Sequence, residues 1–88
     1  MTMDKPILDK VEALAGRGLT EQQIADTLDI DIDKLRRDKP AISLYRLTVR
    51  RGKAKGIADL SNSLFIKAKK GDTRAMIFLL EYLKPKCE

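Results

Sequence analysis

The stretch from Thr20 to Asp38 constrains the fold more than any other part of this chain. It reads as two short helices with a tight turn between them. Thr20 is placed to cap the first helix, and Gln23, three residues on, completes the spacing of a capping box. Ile24, Ala25 and Leu28 supply an inner face, Ile30 falls in the turn, and Leu35 faces back from the second helix. The small Ala25 allows the two helices to cross closely. This pattern predicts a helix-turn-helix. Its turn favours a residue in the left-handed backbone region, and Asp29, which tolerates that region better than most, occupies the position.

The remaining periodicity is also helical. No alternating Val, Ile or Thr pattern and no Asn-Gly or Asp-Gly hairpin turn appears. The first helix is expected from about Pro6 to Ala15, with Ile7, Leu8, Val11, Leu14 and Ala15 on one face and Gly16 and Gly18 as stops. The second spans about Glu21–Leu28. The third spans about Ile32–Asp38, with Asp31 as cap and Pro40 ending or redirecting it. A long basic segment, about Ala41–Lys70, carries two apolar stripes: Ile42, Tyr45 and Val49, then Ile57, Leu60, Leu64, Phe65 and Ala68. Gly52 and Gly56 lie between the stripes and predict a kink or a break. Gly71 ends this segment, and a last apolar helix runs from about Thr73 to Leu83, capped by Asp72 or Thr73. The expectation is an all-α fold, a single domain of about five helices over residues 1–88. Met76, Ile77, Phe78, Leu80 and Leu83 are its candidate interface for a homo-oligomer.

Several functional classes are expected to be absent. The longest apolar run, Ala75 to Leu80, is too short to span a membrane, and the N-terminus lacks the apolar core of a signal peptide. The single cysteine, Cys87, suits a reducing, cytoplasmic compartment. With no histidine and no second cysteine, no zinc site or histidine-based triad is expected. Asp29, Asp31 and Asp33 resemble the start of a calcium loop, but Lys34 and Pro40 stand where glycine and glutamate belong. Gly52 to Gly56 is glycine-rich and basic without the spacing of a P-loop. No nucleophile, base and orienter combine, so neither an enzyme nor a cofactor is expected.

Charge points elsewhere. The chain carries +5, unevenly spread. Residues 1–44 hold 7 basic and 9 acidic side chains, whereas residues 45–88 hold 11 basic and 4 acidic. No acid occurs from Lys39 to Ala58, the window of Arg46, Arg50, Arg51, Lys53 and Lys55. Such a cluster attracts phosphate backbones. With the helix-turn-helix, the expected partner is double-stranded DNA, with Lys34, Arg36 and Arg37 approaching the major groove and the later cations setting orientation. A recognition helix touches DNA with its N-terminal residues, and here that end carries Asp31 and Asp33, which phosphates repel. The alternative expectation is a protein-interaction module, in which Asp26, Asp29, Asp31 and Asp33 meet a phage or host protein.

Three segments carry a family resemblance: Arg51 to Leu60, Leu64 to Ala68, and Lys70-Gly71-Asp72-Thr73-Arg74-Ala75-Met76-Ile77-Phe78-Leu79-Leu80. They resemble phage-type helix-turn-helix proteins, including the DNA-recognition part of small terminase subunits. In those proteins a helix-turn-helix is followed by a basic helix and a Lys-Gly-Asp-x-x-Ala-x-x-Phe-x-Leu-Lys segment. The resemblance covers roughly residues 11 to 84. It implies a protein that binds phage DNA, for packaging or gene regulation, and that assembles with copies of itself.

Overall fold

The computed structural model describes the backbone of residues 3–83 and the side chains of residues 3–81. Five helices and no strands occur among these residues: α1 (Lys5–Gly16), α2 (Glu21–Thr27), α3 (Ile32–Arg37), α4 (Lys39–Lys69) and α5 (Thr73–Leu83). The fold is all-α. No helix among the described residues is long and apolar enough to cross a membrane. The chain divides into two compact units, one ending at Ile57 and the other beginning at Ala58.

The first unit holds the main core. Val11 and Ala15 from α1, Ile24 and Ala25 from α2, Ile30 from the turn, and Ile32 and Leu35 from α3 pack with Ala41, Ile42, Tyr45 and Val49 of α4. Met3, Ile7, Leu14, Leu19 and Leu28 lie half-buried around them. Fully burying one such aliphatic side chain contributes about 1.5–3 kcal/mol.

The helix boundaries follow from local chemistry. The Asp4 carboxylate caps α1 by accepting from the Ile7 amide at 3.1 Å. In α2 the Thr20 hydroxyl oxygen accepts from the Gln23 amide at 3.1 Å, and the Gln23 side chain accepts from the Thr20 amide at 2.9 Å, which closes the expected capping box. Asp38 closes α3 and also caps α4, accepting from the Ala41 amide at 3.2 Å. Pro40 therefore sits in the first turn of α4, where a missing N–H costs nothing, and α3 ends three residues before it at Arg37. Three helices end in the same way. After α1, α2 and α4 a residue with positive φ, namely Gly18 (94°), Asp29 (56°) and Gly71 (95°), lets the next amide reach back five residues. Those bonds are Leu19 to the Leu14 carbonyl at 3.4 Å, Ile30 to Ala25 at 2.8 Å, and Asp72 to Lys67 at 3.1 Å. This is the Schellman arrangement.

One expectation is corrected. Gly52 and Gly56 do not break the long helix: α4 runs through both. They are instead the places where α4 meets α1. A Cβ at Gly52 would strike the Glu12 carbonyl oxygen and lie 2.8 Å from the Ala15 Cβ. A Cβ at Gly56 would strike the Gly16 carbonyl oxygen and lie 2.8 Å from the Gly16 Cα. The two glycines are four residues apart, so they share a helix face, and their missing side chains let the two backbones touch.

The second unit contains the C-terminal part of α4, the turn at Gly71, and α5. The Asp72 carboxylate caps α5 by accepting from the Ala75 amide at 3.1 Å. Among the described residues of this helix, Ala75 and Leu79 are the buried apolar ones. The expected interface residues Met76, Ile77, Phe78 and Leu80 are between 41% and 72% exposed. The side chain of Leu83 lies outside the described residues.

Candidate nucleic-acid interface

In the α2–turn–α3 segment two short helices flank a turn. Asp29 adopts the left-handed backbone conformation, and Ile30 is pulled inward beside Ala25. α3 is short, only six residues, and Ile32 and Leu35 anchor its inner face. Its outer face carries Asp33, Lys34, Arg36 and Arg37, all exposed. The acids at its start are engaged locally. The Asp31 carboxylate accepts from the Asp33 amide at 3.1 Å and the Lys34 amide at 3.2 Å. Asp33 pairs with Arg36 at 3.3 Å, an exposed ion pair of little energetic weight. Asp26 accepts from the Gln22 side-chain amide at 2.9 Å. Lys34 and Arg37 form no ion pair among the described residues, so on α3 they are the cations free to meet an anion.

The five expected α4 cations are all exposed but do not form one surface. Arg46, Arg50 and Lys53 stand at i, i+4 and i+7, and share one side of the helix. With Glu21, Ser43 and Val49 they line a groove of about 440 Å³. Arg51 follows Arg50 by about 100° around the helix and is absent from the groove lining. Lys55 turns to α1, where its ammonium contacts Glu12 at 2.6 Å. No α3 residue lines the groove, so Lys34, Arg36 and Arg37 form a separate set of cations.

Glu21 organises the groove, a role that no local spacing in the chain announces. Its carboxylate lies 3.7 Å from Arg46 Nε, and its backbone carbonyl accepts from the Tyr45 hydroxyl at 2.6 Å. Tyr45 is fully buried at the centre of the core, so this bond satisfies the one polar atom it carries inward. Burial, and then the charge of nearby Glu21, push the Tyr45 hydroxyl from 10.0 up to about 12. The start of α2 is thereby tied to the part of α4 that carries Arg46. Arg50 and Lys53 make no ion pair among the described residues and carry the groove's uncompensated positive charge.

The Glu21–Arg46 and Glu12–Lys55 pairs join residues 25 and 43 positions apart, so no local spacing announces them. Among the described residues no group of three or more His, Cys, Asp or Glu side chains is placed to hold a metal ion. Comparisons with protein-family models, with curated proteins and with solved structures give no match to this chain.

Proposed function

We propose that this protein binds double-stranded DNA, with the α4 groove on the phosphate backbone and α3 directed to the major groove. The observation that carries the reading is the gathering of Arg46, Arg50 and Lys53 on one side of α4, in a stretch without acids. Arg50 and Lys53 supply positive charge that no ion pair among the described residues neutralises. Lys34 and Arg37 supply the corresponding free cations on α3. The left-handed turn at Asp29 and the capping box of α2 support a helix-turn-helix reading of residues 20–38. The resemblance of residues 51–80 to phage DNA-recognition proteins narrows the ligand to phage DNA, for packaging or for gene regulation.

The local engagement of Asp26, Asp31 and Asp33 bears on the competing idea of an acidic face for a protein partner. Two of these carboxylates are held by backbone or side-chain amides and one by Arg36. The test is fluorescence anisotropy of a mixed-sequence duplex at low and at physiological salt. Binding that weakens steeply with salt is expected, with a dissociation constant on the order of 10⁻⁴–10⁻⁶ M at physiological salt for non-specific DNA. Absence of binding at low salt would reject the proposal. Changing Asp29, Asp31 and Asp33 together to Asn separates the two ideas. Asn retains the cap at position 31, so DNA affinity should hold or rise.

A further inference from the structure

Two consecutive residues of α4 hold both the backbone and the side chain of one acid. Tyr45 is buried in the core and donates its hydroxyl to the Glu21 carbonyl at 2.6 Å. Arg46, the next residue and about 100° further around the helix, is exposed and meets the Glu21 carboxylate at 3.7 Å. The N-terminal side of Glu21 is fixed as well, by the Thr20–Gln23 capping box. A pinned backbone therefore presents the carboxylate to Arg46, which a chance meeting of two free side chains would not do. Glu21 is also the one acid among the described residues that line the basic groove, beside Arg46, Arg50 and Lys53.

That ion pair does little for folding. The Arg46 side chain is 54% exposed and the Glu21 side chain 39%, and pairs so open to water contribute little to stability. An acid in the first turn also suits the dipole of α2, but that role needs no arginine. The consequence lies in the groove. A phosphate that approaches Arg50 and Lys53 meets charge that no ion pair among the described residues opposes. For Arg46 it must compete with a carboxylate already in place.

We propose that Glu21 is an internal competitor of phosphate: it withholds Arg46 from the nucleic-acid backbone and so limits the affinity of the groove for any duplex. The inference rests on the reading of this groove as a phosphate-binding surface. Phosphate contacts carry no sequence information directly. The acid therefore weakens the sequence-independent part of binding and leaves base contacts from α3 untouched.

Fluorescence anisotropy of the full chain on a mixed-sequence duplex, across a salt series, tests the proposal. Glu21→Gln keeps the size of the side chain, suits a helix, and leaves the Tyr45 bond to the backbone carbonyl in place. It should bind several-fold more tightly than the wild type, with a salt slope steeper by about 0.9, the value of one added phosphate contact. In an Arg46→Ala background the same change should gain little and leave the slope as it is. Asp9→Asn, which removes the same unit of charge from α1 outside the groove lining, should also gain little. Helical circular dichroism should be the same in every variant. Wild-type binding that Glu21→Gln neither tightens nor steepens would overturn this inference and leave the DNA reading standing. An equal gain in the Arg46→Ala background, or from Asp9→Asn, would do the same. Absence of duplex binding by both the wild type and Glu21→Gln at low salt would overturn the DNA reading, and the inference would fall with it.

Discussion

Replacing Gly56 by Ala sets two effects of opposite sign against each other. Helix propensity alone favours the change by about 1 kcal/mol, because Gly56 lies in the interior of α4. Packing opposes it. The new Cβ would meet the Gly16 carbonyl oxygen, and would sit 2.8 Å from the Gly16 Cα and 2.9 Å from its carbonyl carbon. These are backbone atoms at the end of α1, so no rotamer change relieves the overlap and the helices must separate. Overpacking of this kind typically costs about 1–3 kcal/mol, and more where the neighbour is rigid. The barrier here is backbone, so the upper part of that range applies and the net effect is a loss of about 1–2 kcal/mol. With a urea slope of about 1–3 kcal/mol per molar, the unfolding midpoint read by circular dichroism should fall by roughly 1 M. Gly16→Ala should cost less, since its nearest contact is the Gly52 carbonyl oxygen at 3.2 Å. A Gly56→Ala midpoint at or above that of the wild type would refute the close-contact argument and leave propensity as the deciding effect.

Other expected outcomes rest on separate observations. Changing Arg50 and Lys53 together to Ala should flatten the salt dependence of DNA binding by about two units of slope, at about 0.9 per phosphate contact. Lys55→Ala should change the slope less, because Glu12 holds that ammonium; equal effects in the two variants would break the distinction drawn between them. Asp29→Gly should hold or raise the unfolding free energy from urea titration and Asp29→Val should lower it by about 1 kcal/mol or more, as a φ of 56° demands; the reverse order would remove the strain argument. The Tyr45 hydroxyl, raised from 10.0 to about 12 in the folded chain, gives up its proton later than it does in the unfolded chain. Its contribution to stability is therefore full below pH 10 and is lost as pH rises toward 12. Tyr45→Phe should be less stable at neutral pH, by about 1 kcal/mol for the bond to the Glu21 carbonyl, and should lack that alkaline component. An unchanged alkaline profile in urea titrations would reject the assignment.

Local signals in the sequence were sufficient for the elements. The Thr20–Gln23 box, the Asp31 and Asp72 caps and the positive-φ position at Asp29 each depend on residues within a few places of one another, and each forms. Gly52 and Gly56 misled because glycine in a helix reads as weakness when its surroundings are unknown. Only the approach of Glu12, Ala15 and Gly16 reveals them as contact points. The basic window misled for a related reason. Five cations without an intervening acid read as one patch, but helical geometry turns Arg51 and Lys55 away from Arg46, Arg50 and Lys53. The acids that partner Arg46 and Lys55 come from α2 and α1, beyond the reach of any spacing rule.

These long-range contacts explain why the first unit can present a charged surface from such short helices. α2 and α3 have seven and six residues, too few to hold a helix on propensity alone. Their positions are imposed from outside. Gly52 and Gly56 seat α4 directly on α1, and the Tyr45 hydroxyl fixes the start of α2 to α4 through the Glu21 carbonyl. The same residue, Glu21, sends its carboxylate to Arg46, so the bond that anchors α2 also sets one wall of the basic groove. Tyr45→Phe therefore separates structure from charge: it removes the anchor without altering a single charged side chain. A loss of DNA affinity in that variant, with Arg46, Arg50 and Lys53 intact, would show that groove geometry matters beyond the number of its cations.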